Sequence, residues 1–540
     1  MLKNIKSFFK KLEKRRLVFS AIFGFFLSIF LVIGKQMNDD GAITFGFTTP
    51  LNLMIVFILL TAVTYYLISK IKYKNGKKFD LKRWQIFLPL AIVSVFILFA
   101  VYPGNYNIDI AWQWAAYKTG NLGTHYPIFY NFIFCSLMEF LYNIFHSWEF
   151  TIFILNLIQT LLVNFVVMEI VMFFGKRIKS KKFTIIAMLF YLTNPLYQCL
   201  IISTGHDIGF SAIFALIIIE TIKMVEEKEY FLKKKNWAKF IILVFVLCIF
   251  RNNGSFAIIP ALILGLFVIG KGKRLKLTAI VMIPILLFTG YNQFIVNNVV
   301  KEKESVLRES LNIPVNQLAR ALYYNHPSVW SEELELYFEP ECNWALYGKW
   351  PAISDFQKTC LKTDYIESHL TDFVAYWAKI GLKVPHRYIE APFLFDLGAY
   401  YPFIDYATEP DTDATRHGYV QYGVHIKKYL GEYIEIYRYP NIPVVDKIME
   451  QLIVYQKWNK IAFFRVIWGG AFTTILLLFT ACYVGWKKQK QYFVPLAFIF
   501  GMLLTVLLSP VILYRYMFPI VLCIPAMFYI ILKCVNEKVR

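Results

Sequence analysis

Apolar positions along this chain come in long runs broken by short polar or basic stretches. They do not alternate as in a half-buried strand or recur every three or four residues as in a surface helix. Thirteen runs stand out, near residues 17–33, 51–69, 85–102, 127–145, 150–174, 183–200, 208–225, 238–250, 255–270, 277–297, 461–485, 491–508 and 517–533. A helix needs roughly 17 to 25 residues to cross about 30 Å of hydrocarbon, where lipid offers the backbone no hydrogen-bond partner. The pattern therefore predicts an all-α polytopic membrane protein with about 12–13 transmembrane helices. The first run continues into Gly34-Lys35-Gln36 without a small-residue cleavage pattern, so a retained anchor is expected rather than a cleaved signal.

Composition agrees: 58% of the 540 residues are hydrophobic and 17% are charged, which excludes an ordinary soluble enzyme. The heavy Tyr and Phe content suits interfacial aromatic belts. The net charge of +21 would fit a nucleic-acid binder if the positives were clustered. They are not. Residues 298–458 hold 16 Lys+Arg against 22 Asp+Glu, net −6, leaving 41 against 14, net +27, in the rest. Of those 41 basic residues, 35 fall in seven short segments: Lys3–Arg16, Lys70–Arg83, Lys176–Lys182, Lys223–Lys239, Lys271–Lys276, Lys487–Lys490 and Lys533–Arg540. The positive-inside rule places these segments in the cytoplasm and excludes nucleic acid as the reason for the charge.

The sides then follow by parity. With a cytoplasmic N-terminus, loop 103–126 lies outside, and the basic loop 176–182 returns inside only if 127–174 crosses an odd number of times. One of its two apolar runs, 127–145, is therefore expected to be re-entrant or partly spanning. Loops 201–207, 251–254 and 509–516 and the block 298–458 then fall outside. The expected organisation is an N-terminal hairpin with a basic loop (1–84), a transmembrane core (85–297), a mostly helical extracytoplasmic domain (298–458) and C-terminal transmembrane helices (459–540). In that domain Cys342 and Cys360 lie where oxidation is permitted, and a disulfide and two thiols both remain open.

Six basic residues outside the 298–458 block are not explained by topology: Lys35, Lys118, Arg251, Lys460, Arg465 and Arg515. Charges near the membrane are functional candidates by default. Lys35, Lys460 and Arg465 sit near helix ends, where snorkelling explains them. Arg251, in Phe250-Arg251-Asn252-Asn253-Gly254, and Arg515, in Tyr514-Arg515-Tyr516, sit at predicted outer ends. A structural ion pair is the alternative for each. Among the acids, Glu139, Glu169 and Glu220 read as packing or helix-end residues. Asp109 and Asp207 differ, because each follows a helix stop: Pro103-Gly104 for the first, before a short in-plane helix, and Asn194-Pro195 for the second, in Ser203-Thr204-Gly205-His206-Asp207. Two outer carboxylates with two outer arginines suit a site that activates a hydroxyl and holds a phosphate.

At these residues the chain resembles integral-membrane glycosyltransferases of the GT-C class, the superfamily of protein O-mannosyltransferases and lipid A aminoarabinose transferases. The shared pattern is an acid in the first outer loop (Asp109), a His-Pro-like motif opening the next segment (His125-Tyr126-Pro127) and a second acid after a proline helix stop (Asp207). More closely it resembles a family of uncharacterised bacterial membrane proteins, through Pro103-Gly104 with Asp109 and Gln113, His206-Asp207, Arg251-Asn252-Asn253-Gly254, the run Ile313 to Arg320, and Arg515-Tyr516 with Pro519. His125-Tyr126-Pro127 departs from the commoner His-His-Pro, and His206 stands where a Lys often precedes the acid.

The resemblance implies a multi-pass enzyme of the bacterial plasma membrane. It would move a sugar from a polyprenyl-phosphate donor to a cell-envelope glycan, lipid or protein, with inversion. Asp109 would deprotonate the acceptor, and Asp207 would orient it or, with Asp109, hold a divalent cation such as Mg or Mn. Arg251, Arg515 and His206 would meet the phosphate, with His125, Lys118 and Gln113 lining the site and Gln317 and Arg320 on a cleft wall. Two rivals remain at this stage. One is a transporter or flippase of lipid-linked glycans, and the other a non-catalytic membrane scaffold, in which Asp109 and Asp207 have no reason to meet.

Overall fold

The computed structural model describes residues 13–73, 76, 79–124, 126–300, 306–340, 342, 360–404, 422–424, 431–509 and 512–535. Among them the regular structure is helical, and all thirteen apolar runs fall on helices. In chain order the first twelve helices are α1 (Lys14–Asp39), α2 (Thr48–Lys70), α3 (Trp84–Ala100), α4 (Ile108–Thr119), α5 (Ile128–Phe145), α6 (Trp148–Ile178), α7 (Lys181–Thr193), α8 (Pro195–Ile201), α9 (His206–Glu226), α10 (Lys234–Phe250), α11 (Ile259–Val268) and α12 (Lys271–Asn298). After them come α13 (Asn312–Val329), α14 (Leu370–Lys383), α15 (Pro385–Phe395), α16 (Leu397–Tyr400), α17 (Pro443–Ile453), α18 (Gly470–Lys487), α19 (Phe493–Leu507), α20 (Tyr514–Leu522) and α21 (Ile524–Val535).

By length and composition nine helical stretches among the described residues can cross a membrane, or ten if the bent pair α7–α8 counts as one. That is fewer than twelve. The shortfall lies in short helices: α3 and α10 have 17 residues each, and α11 has 10. At 1.5 Å per residue α11 is only about 15 Å long, half the hydrocarbon thickness.

Segment 127–145 holds the unbroken 18-residue α5, and both of its ends lie near the loops of the outer side: the Tyr130 ring is 5.7 Å from that of His206, and Trp148, just after the helix, is 5.0 Å from Trp114 in α4. A second irregular element is the sharp break, 69°, between α7 and α8 at Asn194-Pro195. Proline cannot continue the preceding helix, and the Asn194 side chain starts the next by accepting from Leu196 N and Tyr197 N at 3.0 and 3.4 Å. All seven residues of α8 are buried.

The interior of the bundle is built on α6, α9 and the α20–α21 stretch. In the most apolar window of Tyr514–Val535, 78% of residues are buried, against 11% for α2, whose surface is therefore left to lipid. Helix α9 packs against α6, α10, α19 and α20, the last of which carries Arg515.

The described residues of the 298–458 block divide among separate cores. The first part, from α13 to Tyr388 at the start of α15, closes a small core of its own around Val315, Leu318, Phe338, Phe373 and Tyr376. The apolar stretch 391–404 instead joins the main core: Leu394, Phe395, Leu397, Tyr400 and Ile404 pack with bundle residues, and the Tyr400 ring lies 5.3 Å from that of Phe30 in α1. Fourteen residues are too few to span, so the hydrophobic pattern gave this segment no place among the crossings. Arg465 and Asn459 fix its end by donating to Ile404 O at 2.9 and 3.1 Å. Arg465 therefore has a backbone acceptor in addition to its place near a helix end.

Candidate functional site

Two loops carry the acids, and the sequence ties them together. The 101–107 loop follows α3 and the 202–205 loop follows α8. Asn105 N donates to Ile202 O and Thr204 N to Asn105 O, at 3.0 and 3.1 Å, so the two backbones run side by side for one bridge. Asn107 N adds a bond to Thr204 Oγ1 at 3.0 Å. From α6, Asn156 Nδ2 reaches Pro103 O and Asn105 O, and Gln159 Nε2 reaches Ile201 O and Ser203 O. These amides satisfy loop carbonyls that water cannot reach, as buried backbone requires. Gly104 is needed where it stands: its φ is +93°, and a Cβ there would lie 2.7 Å from Asn156 Nδ2 and 2.9 Å from Ile202 O.

Each acid then enters on the first turn of a helix. Asn107 caps α4 by accepting from Asp109 N at 3.0 Å, and Asp109 is the second helical residue. Asp207 is likewise second in α9, and Arg515 second in α20. Arg251 closes α10 as its C-terminal cap. Three helix N-termini thus start at the charged cluster, where free N–H groups and aligned peptide dipoles favour negative charge.

The four charges meet. Arg515 Nη1 lies 2.5 Å from Asp109 Oδ2 and its Nε 3.6 Å from Asp207 Oδ2, while Arg251 Nη1 lies 3.1 Å from Asp207 Oδ1. The side chains are 12% exposed for Arg515, 18% for Arg251 and Asp109, and 6% for Asp207. Proximity does not satisfy every atom: Asp207 Oδ1, Arg251 Nη1 and Arg515 Nε are buried without a well-directed hydrogen bond. Tyr516 links the arginines, accepting from Arg515 Nη2 at 3.2 Å and presenting its ring 4.5 Å from Arg251 Cζ. Such a contact supports a guanidinium without neutralising it.

His206 faces the same cluster. Its Nε2 lies 3.5 Å from Asp207 Oδ1, its Nδ1 3.4 Å from Gln113 Nε2, and its ring packs edge-on to Tyr130. Donation from the Gln113 amide to Nδ1 leaves the proton on Nε2, the nitrogen nearest Asp207, without a directed hydrogen bond between them. This places His206 and Gln113 behind the Asp207 carboxylate.

Asp109, Gln113, His206, Asp207, Arg251 and Arg515 are thus brought together, and the others are not. Lys118 donates to Glu139 at 2.8 Å, and that bond raises its pKa above the ordinary value. Gln317 donates to Tyr388 O and accepts from Trp377 Nε1, at 3.1 and 3.0 Å, within the small core. Arg320, 1% exposed, pairs with the fully buried Glu390 at 3.0 Å and donates to Gly41 O in the α1–α2 loop. Glu390 also accepts from Ile43 N and Arg387. Gln317 and Arg320 therefore build the fold and do not stand as a cleft wall. His125 lies outside the described residues. Cys342 and Cys360 both join the small core, where Glu339 N donates to Cys360 O.

The sequence reading missed Asn107 and Tyr516 as site residues. An Asn two positions before an acid that opens a helix is a capping signal and would have found the first. A divalent cation does not fit the arrangement as it stands. Both carboxylates already face guanidinium groups, and the described residues include no group of three or more His, Cys, Asp and Glu able to hold a metal.

Fold and site together define a polytopic all-α membrane protein with a buried two-carboxylate, two-arginine cluster at the start of three helices. The chain belongs to a family of unknown function, DUF6020, whose model matches residues 51–540. No curated protein and no solved structure matches it.

Proposed function

We propose that this protein is a membrane glycosyltransferase that moves a sugar from a polyprenyl-phosphate donor to an extracytoplasmic cell-envelope acceptor. The observation that carries the reading is the meeting of Asp109, Asp207, Arg251 and Arg515 from four separate segments of the chain. The cluster is neutral if His206 is neutral, so three converging helix N-termini tip it toward an anion. Arginine is the side chain suited to phosphate.

In the reaction an acceptor hydroxyl gives its proton to Asp109 while its oxygen attacks the anomeric carbon. The bond from that carbon to the phosphate oxygen breaks, and the electron pair leaves on the phosphate. Arg251 and Arg515 stabilise the charge that develops there, and Asp207, backed by His206, holds the arginines in register.

A flippase would need the basic-loop end of the bundle to open as well. That end is tied: Glu226 accepts from Tyr492 and Tyr529, both at 2.7 Å, and pairs with Arg177, while Glu220 accepts from Lys223 and Lys239 at 2.8 Å. The test incubates purified protein with a panel of radiolabelled polyprenyl-phosphate sugars. Turnover is expected from the wild type and a loss of about 100-fold or more from Asp109→Asn, the scale set by general-base catalysis. Equal turnover in both would remove Asp109 from its role.

A further inference from the structure

We infer that Arg515 masks Asp109 until a phosphate arrives, so that the donor itself unmasks the base and must bind before the acceptor. The inference rests on the transferase reading and adds to it an order of events.

In the structure one oxygen of the Asp109 carboxylate is engaged. Its Oδ2 receives Arg515 Nη1 at 2.5 Å, and the same nitrogen reaches Asn107 Oδ1 at 3.2 Å. A hydroxyl meets that oxygen only once Arg515 moves away, and Oδ2 is the oxygen assigned to the acceptor proton. The arginines, by contrast, are incompletely used. Arg515 Nε and Arg251 Nη1 are buried without a well-directed acceptor, although Asp207 lies 3.6 and 3.1 Å from them. Two carboxylates therefore neutralise the two guanidinium groups without exhausting their donors. A phosphate group brings more acceptor oxygens in a geometry that a guanidinium fork matches with paired bonds.

Charge balance gives the sequence of events. Arg251, Arg515, Asp109 and Asp207 sum to zero with a neutral His206. A phosphodiester anion that takes Arg515 leaves the cluster with one surplus negative charge, on Asp109. Taking the acceptor proton onto Asp109 restores neutrality. Tyr516 keeps its hydroxyl on Arg515 and its ring beside Arg251, which holds the pair facing one anion while Asp109 is released.

The test uses the purified full-length protein and farnesyl phosphate, a short isoprenoid monophosphate. Binding is measured with radiolabelled ligand. Exposure of Asp109 is measured separately, by dicyclohexylcarbodiimide labelling and peptide mass spectrometry. This reagent needs a carboxyl group able to take up a proton. Saturating farnesyl phosphate is expected to raise Asp109 labelling severalfold, and Arg515→Gln to show the raised level without ligand. If farnesyl phosphate binds and Asp109 labelling stays level or falls, the masking inference is overturned while the transferase reading stands. If farnesyl phosphate does not bind, both the inference and the phosphate role of the arginines are overturned. The wild-type comparison with and without ligand decides the matter even if the variant does not fold.

Discussion

Arg320 and Arg515 show how two buried arginines take different duties. Both are deeply buried and face carboxylates. Arg320 meets a complete set, with Glu390 and Gly41 O, and Glu390 is itself satisfied by Ile43 N and Arg387. Arg515 keeps an undirected Nε. Removing one partner of a fully buried pair leaves a charge without compensation, so Arg320→Ala is expected to destabilise the protein by about 3–5 kcal/mol. Turnover per folded molecule should be unchanged, as read by thermal unfolding beside the radiolabel assay; a selective loss of turnover would return Arg320 to the site. In the sequence, Asp109 and Asp207 were legible because each follows a helix stop, and Arg251 and Arg515 because they remained once topology charges were set aside. Lys118 remained by the same subtraction yet pairs with Glu139, 21 residues on, which no local pattern reveals.

At the scale of elements, the hydrophobic runs located every helix long and apolar enough to cross a membrane, and Pro103-Gly104 and Asn194-Pro195 located the breaks. What they did not convey was which apolar segment bends. Length and apolar content pass the test for a span both for the straight α5 and for the bent α7–α8 pair, and the 69° turn goes with Asn194 capping α8 and reaching Tyr514 Oη at 3.2 Å. The 391–404 segment was unreadable for a related reason, being apolar but too short to count as a crossing. In the small core, Cys342 and Cys360 share one cluster beside the bridge between Phe338 and Leu361. The structure leaves the two sulfurs unbridged, although a shared cluster outside the membrane would permit a disulfide. Non-reducing peptide mass spectrometry should find two separately alkylatable thiols, and a linked pair would contradict it.

For the whole molecule, the charged cluster and the basic loops lie at opposite ends of α9: His206-Asp207 opens the helix, and Glu220, Lys223 and Glu226 close it. The proposed orientation puts the cluster outside and the basic loops in the cytoplasm, where positive charge is retained. A cysteine at the exposed Tyr439 should therefore react with a membrane-impermeant maleimide in intact cells, and one at the exposed Lys228 only after lysis. The reverse pattern would invert the topology and with it the side on which the acceptor is found.

The central claim is that Arg251 and Arg515 receive a lipid phosphate beside Asp109. An experimental structure of the protein with a farnesyl-phosphoryl sugar bound tests it directly. The account predicts phosphate oxygens at hydrogen-bond distance, about 3 Å, from both guanidinium groups, with Asp109 released from Arg515 and facing the anomeric carbon's open side. A phosphate bound elsewhere, with the Arg515–Asp109 pair intact, would contradict it.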